Sequence, residues 1–274
     1  MKVKKRPEPV QPKLRLRDRR RKLLQIKIAA GTLVLLILLG GLFFVARLSE
    51  VTISKVEVTG TAVADASLIQ RIVEEQLSGS YGFVIPKRNT LFVPSADIAR
   101  AISGSFPIVK EAKVSHTGLT SISVAVSERT PVALWCSQGT EEVLGTCYSM
   151  DEAGLIYMVA ERSDAYVRYG GGIDAEPVGS VFLTGNFSKL HAFVDETAKT
   201  LSRTADSVFV EPNSDVTLTL VGGGDLKFVM TEDAAGTLEN IASVFASQKL
   251  KGRIDFEYAD FRFGNKVYVK FKGE

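Results

Sequence analysis

The sequence predicts an α+β protein carried on a single transmembrane helix, and three observations predict it. Residues 28–46, IAAGTLVLLILLGGLFFVA, contain no charged side chain. Beyond them, short apolar runs of period two alternate with four stretches at helical spacing. Gly, Asn and Asp fall between those runs, where tight turns need them. The expected order is a basic tail (1–27), a membrane span (28–46), a small strand–helix–helix–strand–strand domain (51–128), and a second, mostly antiparallel β domain with helices (130–274).

The span is argued from length and flanks. Nineteen helical residues rise roughly 28 Å, close to the hydrocarbon thickness of a bilayer. Twelve of the nineteen are Leu, Ile, Val or Phe, which favours insertion by about 5 kcal/mol before backbone terms. Residues 1–27 hold twelve Lys or Arg against Glu8 and Asp18. That asymmetry keeps the N-terminus in the cytoplasm and puts the long C-terminal part outside. The overall charge of +3 conceals it, because 21 basic and 29 acidic residues remain beyond Arg47. Topology signalling and attraction to anionic lipid account for the basic tail without a nucleic-acid partner. The rival reading is a cleaved signal peptide. Its apolar core would be too long, and Phe44 stands where cleavage after Ala46 needs a small residue.

In the first outer domain, Val51, Ile53, Val56 and Val58 alternate, with a phase slip at Ser54-Lys55 that points to a bulge or a strand starting at Lys55. Asp65 is the expected N-cap of a helix through Leu77, with Leu68, Ile69, Ile72 and Val73 on its apolar face. Ser95 is expected to cap a second, short helix, which Phe106-Pro107 ends. Strands at 108–116 and 120–127 follow, the second with Ile122, Val124 and Val126 on one face, and Gly118 marks the hairpin between them.

In the second domain, residues 131–135 read as a strand and 147–157 as a hairpin turning at Asp151–Gly154. Asp151 and Glu152 are neighbours in a turn and do not make an acid–base couple. Helices are expected at 188–203 and 233–248. Between them lie strands at 207–210, 216–221 and 226–230, the last two joined by Gly222-Gly-Gly-Asp225. That glycine run joins two strands, so it reads as a hairpin turn and not a phosphate loop. Residues 253–263 form a strand whose apolar phase changes at Ala259-Asp260, predicting a bulge. After Gly264-Asn265, Val267, Val269 and Phe271 alternate with Lys266, Tyr268, Lys270 and Lys272. A final strand tends to lie at a sheet edge. Lysines guard such an edge, and its open backbone can accept another strand.

Catalytic and metal chemistry have no sequence support. His116 and His191 are scattered and read as solvated or capping residues. No HExxH, GxSxG or SxxK pattern occurs, and two Cys with two His make no convincing zinc site. No cofactor is expected. Cys136 and Cys147 bracket an insertion on the extracytoplasmic side. They form either a disulfide, worth roughly 3 kcal/mol in the chain-entropy model, or two buried thiols.

The run Val56-Glu-Val-Thr-Gly60, the helix Ile69–Leu77, Phe106-Pro-Ile-Val-Lys-Glu-Ala-Lys-Val114 and Ile122–Val132 together resemble a POTRA domain. Val126-Ser-Glu-Arg-Thr-Pro-Val-Ala133 is similar to the V-x-E-R-x-P-V-A motif of the bacterial division proteins FtsQ/DivIB. Basic tail, single span and POTRA domain follow in the same order in that family. Asp260-Phe-Arg-Phe263 resembles the D-L-R-F/Y stretch near its C-terminus, with Phe261 replacing the usual Leu. The resemblance implies a non-enzymatic scaffold at the division septum that binds FtsB/DivIC- and FtsL-type coiled-coil partners by strand addition. Arg262 and Phe263 match the motif, Asn265 and Tyr268 follow it, and Lys266 and Lys270 flank them. With Lys272, the cations Arg262, Lys266 and Lys270 imply an acidic partner strand. The alternatives are a POTRA-bearing chaperone or translocation factor for extended polypeptides, and a membrane-anchored envelope enzyme. The anchor itself is open to test. The full chain should resist carbonate extraction from membranes; a soluble chain beginning near Arg47 would exclude it.

Overall fold

A computed structural model describes residues 16–82, 85–138, 145–173, 176–230, 233–247, 250, 255–264 and 266–273. Residues 1–15 of the basic tail, most of the insertion between the cysteines, Ile254 and Asn265 lie outside the described residues. The helix α1 (Leu16–Val45) is long and apolar enough to cross a membrane. Its apolar side chains stand uncovered on all faces, from Leu33 to Ile37 and Phe44. From Ile28 on, α1 is apolar all round and has no solvated face to show to water.

The chain divides into two compact units: Met1–Glu57 with Gln70–Ile98 and Val114–Val124, and Val58–Ile69 with Ala99–Lys113 and Ala125–Glu274. After α1 come β1 (Lys55–Thr59), α2 (Ala66–Gln76), a two-strand hairpin of β2 (Ser80–Tyr81) and β3 (Ile85–Pro86), α3 (Ser95–Ser105), β4 (Val109–His116) and β5 (Ser121–Glu128). β1, β5 and β4 form a three-stranded sheet in that order. Ile122, Val124 and Val126 are buried, as the period-two pattern requires.

The caps follow local chemistry. Asp65 Oδ1 accepts the Ser67 N–H at 2.8 Å at the start of α2. Ser95 is the first residue of α3 and not its cap: the Ile98 N–H donates to the Pro94 carbonyl, so the helix begins one residue earlier than its hydroxyl indicated. Proline suits a helix start because it has no N–H to leave unsatisfied. Glu128 draws in the turn before α2, accepting the N–H groups of Ala62, Val63 and Ala64 at 2.8–3.1 Å.

Among the described residues nine strands build the large sheet. They are β6 (Ala133–Cys136), β7 (Cys147–Met150), β8 (Ile156–Ala160), β9 (Arg168–Gly170), β10 (Ala205–Val210), β11 (Asp215–Leu220), β12 (Asp225–Val229), β13 (Phe256–Phe263) and β14 (Lys266–Phe271). Their order is β14-β13-β12-β11-β10-β9-β6-β7-β8. The pairs are antiparallel except β12–β13, β9–β10 and β6–β9. The helices α4 (Phe187–Leu201) and α5 (Ala234–Ala246) supply Leu190, Val194 and Ile241 to a core shared with Trp135, Tyr169, Leu218, Phe228 and Phe256. Asp233 caps α5 by accepting the Gly236 N–H.

β9 is absent from the sequence reading because three residues carry no periodicity. Yet it joins the two halves of the sheet through parallel pairs on both sides. Just beyond it, Gly171 has φ +89°, and a Cβ there would stand 2.1 Å from the Val210 carbonyl oxygen. The Gly171 carbonyl accepts the Trp135 indole N–H at 3.1 Å. Gly171→Ala should therefore destabilise the fold by at least about 1–3 kcal/mol. Trp135 is the chain's one tryptophan, so its fluorescence during urea unfolding reads this directly; an unchanged midpoint would contradict the packing.

Candidate functional site

The site expected from sequence lies on β13 and β14, and the structure places its members unequally. β14 is the last strand of the nine-stranded sheet. The Lys272 N–H donates to the Asp255 carbonyl at 2.9 Å, toward β13. Backbone groups alternate sides along a pleated strand. The amides of Tyr268 and Lys270 therefore also face β13, and those of Val267 and Val269 face away from the sheet. Among the described residues no strand lies beyond them. The side chains of Val267, Val269 and Phe271 pack against the core, as their phase predicted.

At the opposite end of the sheet, β8 begins under cover. The Ile156 N–H donates to Ser180, its carbonyl accepts the Gly179 N–H, and Leu155 bridges Val181. The sheet is thus covered at this end only where β8 begins, and among the described residues no strand lies beyond either terminal strand.

Phe261 and Phe263 separate cleanly. Phe261 is 8% exposed and belongs to the core, whereas Phe263 is 55% exposed and Tyr268 53%. The Phe263 and Tyr268 rings meet edge-on, 5.2 Å between centroids at 85°. Two large aromatic rings are thus held in water beside open backbone, and rings of this kind are enriched at interfaces. The register explains why Phe263 is out. Pairing slips between Asp260 and Phe263, so the strand's inward phase ends at Phe261. The phase change at Ala259-Asp260 lies at the start of this irregularity; a second one, between Phe256 and Tyr258, was not legible.

The cations are less available than their outward phase implied. Arg262 Nε and Nη2 donate to the two oxygens of Asp260 at 2.9 and 2.7 Å, and Nη1 donates to Asp215 at 2.6 Å. The reason is that β11 and β13 flank β12 and present carboxylates to the same guanidinium. Lys270 Nζ lies 2.7 Å from Glu257. Lys266 and Lys272 make no ion pair among the described residues, and Lys266 is exposed. Asn265 falls outside the described residues.

Two other polar centres organise turns. Asp151 is 4% exposed; its Oδ1 accepts the Ala153 and Leu155 N–H groups, and its Oδ2 pairs with Arg129. Arg129 also donates to the Pro107 carbonyl at 2.9 Å. The Glu128-Arg129 dipeptide thus works as two backbone clamps, which no spacing rule would have found. His191 is partly buried and packed against aromatic rings. It stacks on Phe187, and its Nδ1 lies 2.8 Å from the Tyr169 hydroxyl. Burial, with a smaller push from Asp195, raises the Tyr169 phenol far above its ordinary value.

Cys136 and Cys147 are register partners on β6 and β7 and are joined as a disulfide. A cavity of about 530 Å³ beside α4 is lined by Leu190, Phe193, Phe228 and Met230, with Lys189 as its one ionisable group among the described residues. Among the described residues no cluster of His, Cys, Asp and Glu could hold a metal ion. Compared with known proteins, the chain matches no family model and no curated sequence.

The Asp260–Arg262 pair has a pH signature. Hydrogen bonds from Arg262 lower the Asp260 carboxyl below the usual carboxylate range, outweighing burial, which raises it. A depressed folded value means the stabilisation is complete above about pH 3.9, the unfolded value, and is lost as pH falls below it. Asp260→Asn should destabilise by about 1–3 kcal/mol at pH 7 and show a flatter loss of stability on acidification than the parent. Denaturant midpoints at neutral and acid pH check this; parallel curves would contradict it.

Proposed function

We propose that this chain is a non-enzymatic membrane scaffold of the FtsQ/DivIB type, acting in bacterial cell division. On this reading α1 holds it in the cell membrane, with the N-terminus in the cytoplasm and the folded part outside. The small sheet with its helices is the POTRA domain, which docks other division proteins. The nine-stranded sheet is the β domain, which receives an FtsB/DivIC- or FtsL-type partner. The observation that carries this reading is the C-terminal strand at one end of the sheet, with no strand beyond it among the described residues, beside the exposed Phe263–Tyr268 pair.

The division of labour follows from the geometry. Outward amides and carbonyls at Val267 and Val269 supply main-chain hydrogen bonds to an added strand, and Phe263 and Tyr268 supply apolar anchorage. Lys266 and Lys272 favour an acidic partner. Arg262 keeps the Asp260 bulge in shape while Lys270 is engaged by Glu257, so both act on the edge more than on the partner. The strand order, the single apolar helix and the basic flank support this reading together.

Val269→Pro removes one outward amide while leaving the amides that face β13 intact, and edge strands accommodate proline. It should weaken capture of a coiled-coil division partner at least about tenfold, equivalent to about 1.4 kcal/mol, with the fold retained. Lys270→Pro should instead lower stability, because its amide faces β13. Undiminished capture by folded Val269→Pro would exclude strand addition. Binding of many unrelated extended peptides with similar affinity would favour the chaperone reading.

A further inference from the structure

The outer end of α1 is tied directly to a loop far along the chain. Asn89 is 1% exposed, and its Nδ2 donates to the Ala46 carbonyl at 2.8 Å. Its Oδ1 accepts the Leu91 N–H at 3.0 Å. The two ends of the carboxamide meet an acceptor and a donor, so its orientation is chemically determined. Around it, the Ile53 N–H donates to Arg88, Thr52 bridges Asn89, and the Thr52 hydroxyl donates to Leu48. The Thr120 carbonyl accepts the N–H groups of Ser54 and Lys55, and His116 Nε2 lies 2.8 Å from the Thr90 carbonyl. The segment after the helix is therefore folded against residues 88–90 and the β4–β5 turn.

Three large apolar side chains stand in the open on these two turns: Leu91 at 80%, Leu119 at 69% and Phe92 at 43% exposure. Leu91 and Phe92 belong to a single 3-10 turn, Thr90–Phe92, capped by Asn89. The His116–Thr90 contact links the two turns, and exposed apolar side chains on linked turns invite a partner.

We propose that these turns form a collar that lies on the outer leaflet, with Leu91, Phe92 and Leu119 seated in the interfacial layer of the bilayer. The proposal rests on α1 being a membrane span. The partner is lipid because of where Ala46 falls. It closes the uncharged run from Ile28, roughly 28 Å of helix, so its carbonyl lies at the outer limit of the hydrocarbon. A side-chain hydrogen bond puts the Asn89 Cα about 6 Å from that oxygen, and Leu91 can be at most about 7 Å further along the chain. That bound, about 13 Å in all, keeps Leu91 close to the headgroup layer, itself about 5–7 Å deep. Arg47, whose guanidinium lies 4.3 Å from the Phe43 ring centroid, marks the same boundary with a cation over an aromatic ring. Apolar and aromatic residues at this depth gain burial without crossing the hydrocarbon. The collar limits how far these turns lift from the membrane.

The test uses the full oxidised chain in phosphatidylethanolamine–phosphatidylglycerol vesicles. The described cysteines are both disulfide-bonded, so Leu91→Cys introduces a single thiol for an environment-sensitive fluorophore. Leu119→Cys is a second probe should the first variant fail to fold, and Leu36→Cys, within α1, reports the span. The expected result is blue-shifted emission at position 91, quenched by lipids spin-labelled near the headgroup, with position 36 quenched by deeper labels. A water-like spectrum at 91 and 119 while 36 reports lipid would overturn the collar and leave the anchor standing. Blue-shifted but unquenched emission at 91 would overturn it too, because the side chain would then be covered by protein. A water-like spectrum at 36 would overturn the anchor itself, and the collar with it.

Discussion

A β-sheet must end somewhere, and the backbone groups along its last strand have no partner of their own. That constraint governs the large unit. Parallel pairings on both sides of β9 merge two groups of strands into one sheet of nine, which still leaves two rims. One rim is shielded where β8 begins, by the segment Gly179–Phe182. The other is β14, whose protection is limited to lysines and to the irregular pairing with β13. Lysines deter edge-to-edge aggregation between identical copies without closing the edge to a chosen strand. The same open edge is thus a hazard and, on the proposed reading, a means of recognition.

Single polar side chains hold the turns that position everything else. Glu128 gathers three consecutive N–H groups, Asp151 orders its own hairpin, Asn89 ties the end of α1 to a short 3-10 turn, and Asp260 grips Arg262. Each is a charged or amide group that meets several donors or acceptors at once, which makes its removal costly where it is buried. In Glu128 the three backbone donors outweigh burial and lower the carboxyl, although burial by itself would raise it. The sequence shows these residues as isolated acids and an amide. Their role depends on backbone groups up to 66 residues away, and no local pattern encodes that.

Elements with a strong period were legible. The amphipathic faces of α2, α4 and α5 and the alternation in β5, β11 and β14 are visible because burial of one face repeats with the geometry of the element. Elements without a period were not: β9 is too short, and β2 and β3 are two residues each. At the candidate site, Phe263 and Tyr268 could be singled out by position, but not distinguished from core aromatics. Phe261 and Phe263 are alike in sequence and differ only through the register slip that turns one in and the other out.

Composition and periodicity by themselves determined that the chain has one uncharged span behind a basic tail, an α+β character, and a final alternating strand, because these follow from short-range patterns of apolar and charged residues. Which strand stands at the rim, whether Arg262 is free or spent on two carboxylates, and where the helix end is tied down were decided only by tertiary structure. Each depends on pairing between residues far apart in the chain, where geometry and not local propensity selects the partner.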